Sequence, residues 1–248
     1  MVTLDVSPAR SECLDHADAR RLAARLATAW TAGDVQTATW LNHSSALVAL
    51  LRSHRALEQM DYVGIDGILL KKILRCPTRT SADLVVPQLL PMLSGARIAL
   101  VGGTADSLPG ARSALERCFG VTVVLAVDGF DGLLRGSEWC EPLAASQADV
   151  VLIGLGAGLQ DEIAIEISGV VERGLILTCG GFLDQVQHDR YYPSLAYKLK
   201  INWLIRLMRE PRRLYRRYTV GAFRALRKSS ALRAQIRALP GYQNSCSR

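Results

Sequence analysis

The sequence predicts an α/β fold of the Rossmann-like kind, with a doubly wound, mainly parallel sheet covered by helices on both faces. Six short segments are continuously rich in Val, Ile and Leu, which is typical of strands buried on both faces. Segments with a helical period of about 3.6 residues separate them. This regular alternation of strand and helix indicates a parallel sheet whose connections cross over it.

The predicted elements can be placed in chain order. A first helix at 15–32 is expected to pack outside the sheet, and crossover helices are clearest at 107–119 and 159–171. The predicted strands are 38–42, 61–66, 96–103, 121–127, 148–156 and 174–181.

The composition is that of a globular protein. The 248 residues are 49% hydrophobic and 21% charged, which is enough for one substantial core. The six cysteines form no CxxC pair and the four histidines show no metal-ligand spacing, so a reducing compartment is favoured. There is no signal-peptide pattern at the N-terminus, and no apolar run reaches the roughly 18 residues that a membrane span needs. We therefore expect a cytoplasmic protein unless another feature holds it at a surface.

Charge is distributed unevenly along the chain. From Lys198 to Arg248, fourteen Lys and Arg stand against one acid, Glu210, which gives this segment a charge of +13. The remaining 197 residues carry −6, so the whole chain carries +7. The sequence thus divides into a predicted α/β core at 1–195 and a basic appendage at 196–248.

The basic appendage has its own helical pattern. Between residues 196 and 228, apolar positions recur near helical spacing on either side of Pro211, which predicts two basic amphipathic helices. Such helices can lie in the interface of an anionic membrane, dock on the core through their apolar stripe, or bind nucleic acid. We favour membrane contact and docking together, because no nucleic-acid-binding signature accompanies the charge.

One acidic residue stands where a buried strand ends. Asp66 follows the apolar segment 62–65, and a helical pattern begins directly after Gly67. In doubly wound sheets, ligands bind beyond the carboxyl ends of the strands, so this carboxylate could be functional. It could equally be the N-cap of the following helix, because Asp is a favoured N-cap. Spacing alone leaves both interpretations open.

Glycine-rich turns follow several of the predicted strands. Gly102 and Gly103 precede a helix start with Ser107 as a plausible cap and Pro109 in the first turn, so its amides could hold a phosphate. Each turn alone is explained by tight chain reversal, and none satisfies a Walker or GxGxxG pattern. Together they favour a nucleotide or diphosphate ligand. Because the chain has no D-x-D triplet, Arg, Lys or helix N-termini would have to neutralise a diphosphate leaving group.

A series of motifs runs along the chain in this order: TWLNHSSAL, VGIDGILL, RTSADLV, ALVGG, DGF, GLGAGLQDE, CGGFLD and the basic block WLIRLMREPRRLYRRY. The series resembles that of the WecG/TagA/CpsF family of bacterial glycosyltransferases, a group of N-acetylmannosaminyltransferase-like enzymes, which implies that residues 1–195 form the catalytic core. The chain departs from the family pattern at Gly158-Leu159, where Pro-Lys is usual, at Asn202, where Glu is usual, and at Ser81, in a motif one residue shorter.

The resemblance implies an inverting, metal-independent transfer of a sugar from a nucleotide donor, with UDP expected, to a polyprenyl-diphosphate-linked acceptor for a cell-surface polymer. It implies no cofactor, a peripheral place on the inner face of the cell membrane, and Asp66 as the general base. The resemblance leaves open whether the protein forms a homo-oligomer. The implied substrate-binding residues are Asn42, Arg79, Asp83, Gly102, Gly103, Gln160, Asp161 and Asp184. The implied membrane or diphosphate contacts are Arg206, Arg209, Arg212, Arg213, Arg216 and Arg217.

A second class of function stays in view. The fold would also suit a nucleotide- or dinucleotide-binding protein of different or no catalytic activity. An acid about twenty residues after a true GxGxxG would favour that class, and the chain lacks this pattern.

Overall fold

The computed structural model describes residues 10–130, 139–187 and 217–242. Within these residues there are six strands: β1 Val35–Leu41, β2 Tyr62–Ile65, β3 Arg97–Gly102, β4 Thr122–Val127, β5 Val150–Gly154 and β6 Gly174–Thr178. They form one sheet in the order β2-β1-β6-β5-β3-β4, and every neighbouring pair is parallel. The doubly wound α/β prediction and all six predicted strands are therefore confirmed.

Helices cover both faces of the sheet. The α-helices of the described residues are α1 Arg10–Ala32, α2 His43–Arg52, α3 His54–Gln59, α4 Ile68–Leu74, α5 Ala82–Leu89, α6 Leu108–Phe119, α7 Cys140–Ala145, α8 Leu159–Ser168, α9 Phe182–Val186, α10 Ala222–Arg227 and α11 Ser229–Ala238. One face is covered by α1, α5, α6 and α9, and the other by α2, α3, α4, α7, α8, α10 and α11.

Burial on both faces explains the apolar character of the strands. In β3, Ile98 and Leu100 belong to the core on the α1 side, whereas Ala99 and Val101 belong to the core on the α8 side, and all four are fully buried. Because alternate side chains point to opposite faces, a strand between two helical layers needs apolar residues at every position.

The chain leaves two neighbouring strands toward opposite faces. After β3 it enters α6 on one face, and after β5 it enters α8 on the other. This arrangement opens a crevice between the carboxyl ends of β3 and β5, which is where doubly wound sheets bind ligands. Gly102 at this point has φ 114°, and a Cβ there would lie 2.5 Å from the carbonyl oxygen of Gly154. The crevice therefore needs glycine at this position.

The first helix packs outside the sheet as predicted, although it begins earlier, at Arg10. It contacts α5 and β1 through a buried stripe. The stripe consists of Ala19, Leu22, Ala23 and Leu26. Burial of this stripe fixes α1 against the edge of the sheet that carries β1 and β2.

The described part of the basic appendage docks on the core. A π-helical turn at Arg217–Gly221 leads into α10, and α10 and α11 pack against α2 and α4. Their apolar side chains join the core on the α8 side. Arg233 Nε donates to the carbonyl of Ile73 at 2.9 Å, and Arg237 Nη2 donates to that of Leu74 at 2.7 Å. Both arginines thus satisfy carbonyls at the C-terminus of α4.

Part of the predicted appendage lies outside the described residues, including the segment around Pro211 and the sites Arg206, Arg209, Arg212, Arg213 and Arg216. Arg217 is the first residue of the described C-terminal segment. Across the described ranges, no helix combines the length and apolarity needed to cross a membrane.

Candidate active site

Asp66 lies directly beyond the end of β2. Its backbone N–H donates to the carbonyl of Leu41 at 2.8 Å, so it continues the pairing of β2 with β1. The N-cap of α4 is Gly67, with φ 88°, and not Asp66. The interpretation of Asp66 as the helix N-cap is therefore wrong. Its side chain is 40% exposed, which leaves the carboxylate accessible at the carboxyl edge of the sheet.

Arg79 approaches Asp66 from the loop between α4 and α5. The N–H of Thr80 donates to the carbonyl of Ile65 at 3.2 Å, which folds this loop back over the end of β2. Arg79 Nη1 then lies 4.0 Å from Asp66 Oδ1 and 3.3 Å from the hydroxyl of Ser81. The structure thus brings a carboxylate and a guanidinium together at one strand end.

Asp15 holds Arg79 from the side away from Asp66. It accepts hydrogen bonds from the backbone N–H of Arg79 at 2.8 Å and from Lys71 Nζ at 2.9 Å. Asp15 was not among the site residues predicted from the sequence. The signal that could have found it is its spacing, because Asp15 stands four residues before Ala19 and so places an acid in line with the buried stripe of α1.

Asn42 occupies the end of β1, next to the Asp-Gly turn. Its Oδ1 accepts from the backbone N–H groups of Ser44 and Ser45, both at 3.0 Å, and Ser45 completes a capping box. A Cβ at Gly67 would lie 3.5 Å from the Cβ of Asn42, so the two turns are adjacent. Asn42 therefore has a local role as the N-cap of α2 besides its predicted contact with substrate.

Gln160 and Asp161 lie in the first turn of α8, and both are buried. Asp161 Oδ1 accepts from the hydroxyl of Thr39 at 2.8 Å, and Thr39 in turn accepts from Thr178 at 2.8 Å. Burial raises the pKa of Asp161 to about 6, against which the Thr39 hydrogen bond acts. Within the described part of the chain, Asp161 Oδ2 and Gln160 Oε1 have no hydrogen-bond partner.

A groove runs along the start of α6, beyond β3 and β4. Its volume is about 370 Å³. Ser107 is the N-cap of α6 and a proline lies in its first turn, as predicted, while Gly129 N–H donates to the carbonyl of Gly103 at 2.9 Å. Asp128 follows a predicted strand and begins the DGF motif, but neither Asp128 nor Arg112 was among the predicted substrate-binding residues. The groove is lined by Ala105, Leu108, Pro109, Arg112, Ala126 and Asp128.

The remaining predicted residues are exposed at helix starts. Asp83 lies in the first turn of α5 and Asp184 in the first turn of α9. Because the strand order is β2-β1-β6-β5-β3-β4, the candidate residues follow one another along the carboxyl edge of the sheet. From one end to the other they are Asp66, Asn42, Asp184, Gln160, the Gly102-Gly103 pair and Asp128.

In this doubly wound α/β protein, the carboxyl edge of the sheet has the Asp66 carboxylate and the Arg79 guanidinium at one end and a groove at the other. Helix N-termini lie between them. The chain matches the sequence model of the glycosyl transferase WecG/TagA/CpsF family over residues 10–239 and belongs to that family. It is therefore a glycosyltransferase, and the alternative class of a nucleotide-binding protein without this activity is set aside.

A curated relative shows what one such enzyme does. The UDP-Gal:alpha-D-GlcNAc-diphosphoundecaprenol beta-1,4-galactosyltransferase of Shigella boydii is 25% identical over 170 residues. The match covers 64% of the present chain and 71% of the relative.

Proposed function

We propose that this protein transfers a sugar from a UDP-sugar to a polyprenyl-diphosphate-linked acceptor, with inversion and without a metal, in the synthesis of a cell-surface polysaccharide. The observation that carries the proposal is the exposed Asp66 carboxylate, 4.0 Å from the guanidinium of Arg79 at a strand end. The name of the Shigella relative supports both substrate classes, since it contains a UDP donor and a diphosphoundecaprenol-linked acceptor.

Asp66 acts as the general base in this proposal. One of its oxygens takes the proton from the acceptor hydroxyl while the hydroxyl oxygen forms a bond to the anomeric carbon of the donor sugar. The bond from that carbon to the diphosphate breaks, and the nucleoside diphosphate leaves with the electron pair. A single displacement of this kind inverts the anomeric centre and needs only one carboxylate. Arg79, beside Asp66, binds a phosphate or hydroxyl of a substrate.

The donor is proposed to lie across the carboxyl edge of the sheet. The nucleoside occupies the groove along α6, where the Asp128 carboxylate accepts from the ribose hydroxyls. The diphosphate lies at the Gly102-Gly103 turn, near the N-termini of α6 and α8, whose dipoles favour anions. The sugar then reaches Gln160, Asp184 and the side-chain amide of Asn42. Asp161 supports this region by fixing the first turn of α8 to β1 through Thr39.

The leaving group is proposed to be stabilised without a metal. The helix N-termini at the crevice supply part of the positive charge. We propose that the arginines of the basic block, from Arg206 to Arg217, supply the rest through bidentate contacts with the diphosphate.

The protein is proposed to work at the inner face of the cell membrane, where it binds as a peripheral protein. Around α10, the apolar side chains of Val220, Phe223 and Leu226 are about half exposed or more. Arg224 directly follows Phe223 and Arg227 directly follows Leu226. Leu51, in the helix against which α10 packs, is 75% exposed. Apolar side chains interleaved with arginine suit the interface of an anionic bilayer, in which the lipid of the acceptor is anchored.

The assay combines purified protein, a panel of UDP-sugars and a GlcNAc-diphosphoundecaprenol acceptor in the presence of EDTA. We expect transfer from at least one donor, and we expect Asp66→Asn to lower kcat by on the order of 10² to 10⁴ with an unchanged melting temperature. Asp34→Asn is the matched control, because Asp34 is exposed at the opposite edge of the sheet, before β1. Near-normal turnover by a folded Asp66→Asn protein would remove Asp66 from the mechanism. Dependence on added magnesium or manganese would overturn the metal-free step.

A further inference from the structure

The carboxylate of Asp15 is a buried charge on a helix that carries none of the predicted site residues. Asp15 is only 7% exposed, and it continues the apolar stripe of α1 toward the end of β2. Burying a carboxylate is unfavourable unless charged and hydrogen-bonded partners compensate. The partners of Asp15 therefore indicate what the charge is retained for.

Those partners are Lys71 and Arg79, which lie 56 and 64 residues away in the sequence. Asp15 Oδ1 accepts from Lys71 Nζ and from the backbone N–H of Arg79, while Oδ2 lies 3.6 Å from Arg79 Nε. Asp15 thus fixes both the backbone and the inner side of the guanidinium of Arg79.

The outer side of the same guanidinium faces the candidate site. Arg79 Nη1 lies 4.0 Å from Asp66 Oδ1, and its contact with the Ser81 hydroxyl restrains it further. The guanidinium therefore bridges a buried acid and an exposed acid. A long side chain restrained at both ends loses little further entropy when substrate binds.

We propose that Asp15 is a positioning residue for the sugar transfer, acting through Arg79. The inference rests on the proposed function, since it assigns Asp15 a part in the same reaction. Asp15 contacts neither substrate nor the reacting atoms. It holds the Arg79 guanidinium at the orientation that Asp66 and the substrates require.

The test compares Asp15→Asn, Arg79→Lys and the double variant in the UDP-sugar transfer assay. Asn retains the oxygen that accepts from Lys71 and from Arg79 N–H but removes the charge opposite Arg79 Nε. We expect Asp15→Asn to lower kcat/KM by on the order of 10- to 100-fold, through the same parameter, kcat or KM, that Arg79→Lys changes. Because Asp15 acts through Arg79, the double variant should be no more than about threefold worse than the poorer single variant.

Two control variants separate positioning from packing. Lys71→Met removes the other partner of Asp15 and leaves its contacts with Arg79, so it should lose stability while keeping near-normal transfer. Asp18 lies one turn along the same helix and is paired with Arg21. Asp18→Asn should therefore change neither the stability nor the rate of transfer. If Asp15→Asn does not fold, Asp15→Glu keeps the charge and shifts the carboxylate by one methylene, and it should show the same kinetic loss.

Each outcome bears on the proposal. Normal transfer by folded Asp15→Asn, or effects of Asp15 and Arg79 that multiply in the double variant, would overturn the positioning role while leaving the proposed function standing. A wild-type chain that transfers from none of the UDP-sugars would overturn both. Loss of transfer in Lys71→Met equal to that in Asp15→Asn would reduce Asp15 to a packing role.

Discussion

The two ends of the carboxyl edge of the sheet differ in what they are made of. Beyond β2, charged side chains meet in a chain of contacts from Asp15 through Arg79 to Asp66. Beyond β3 and β5, glycines line the crevice. Beside it, a groove of about 370 Å³ is lined by four apolar residues together with Arg112 and Asp128. The first end restrains a few charges, whereas the second provides space and backbone amides.

This difference corresponds to two demands of a transfer reaction. A proton transfer needs a carboxylate held in one place, and contacts behind it keep it there. A nucleotide needs room, peptide N–H groups and helix N-termini, which glycine turns supply. We therefore expect substitutions at the first end to lower kcat, and substitutions at the second end to change stability or donor affinity.

The largest effect is expected from Gly102→Ala at the glycine-lined end. The residue has φ 114°, and its Cβ would lie 2.5 Å from Gly154 O, which belongs to the backbone of β5. The positive φ costs about 1 to 2 kcal/mol, and the overpacking about 1 to 3 kcal/mol more. Urea denaturation measures the sum. Gly33→Ala is the control, because Gly33 has φ 85° but open space around it and should show only the first loss.

An equal loss in Gly102→Ala and Gly33→Ala would show that the strands separate to admit a methyl group. The crevice would then be adaptable, and its contrast with the restrained end would weaken.

The next largest effect is expected from Asp161, which lies between the two ends of the carboxyl edge. It concerns the pH dependence of stability. The pKa of Asp161 is about 6 in the folded protein against 3.8 for the free side chain. Between these values the folded state holds more protons than the unfolded state, so stability falls as the pH rises from about 4 to 6 and is constant above. The total is about 3 kcal/mol.

Asp161→Asn should remove this pH dependence while keeping an oxygen that accepts from Thr39. Melting temperatures between pH 4 and 7 test the prediction, with Glu166→Gln in the same helix as the control, because Glu166 is exposed. The melting temperature should fall over this range in the wild type and in Glu166→Gln. If it rises in both proteins by the same amount, Asp161 is not neutral and buried at low pH.

Most of the fold follows from the sequence for a local reason. Strands buried on both faces have no polar positions, so six continuous apolar runs could be recognised one at a time. The candidate residues after strand ends were found in the same way, because the end of an apolar run locates Asp66 and Gly102. The strand order brings these turns to one edge, although they are far apart in the chain.

Long-range contacts could not be predicted in this way. Asp15 contacts Arg79, which is 64 residues away in the chain. The sequence around either residue does not indicate its partner. The basic appendage was ambiguous for a different reason. Arginines on an amphipathic helix can contact anionic lipid or donate to the carbonyls at the C-terminus of another helix. Arg233 and Arg237 donate to such carbonyls. Only the packing of α11 on α4 decides between these partners.

The smallest effect is expected from Asp128→Asn in the groove. Asp128 Oδ1 accepts from the N–H of Phe130 at 3.0 Å, and Asn keeps this oxygen, so the turn after β4 should be preserved. Losing the charge that accepts from the ribose hydroxyls weakens donor binding by about 1.5 kcal/mol, which corresponds to roughly a tenfold rise in donor KM. Because the ribose takes no part in bond breaking, kcat and the acceptor KM should stay near the wild-type values.

Initial rates at varied donor and at varied acceptor measure this split. Asp106→Asn is the control, since Asp106 is exposed in the loop after Gly103 and does not line the groove. A fall in kcat with unchanged donor KM would place Asp128 with Asp66 rather than with the nucleotide. The division of the sheet edge into a reacting end and a binding end would then be wrong, because a residue five strand positions from Asp66 would act on the same step.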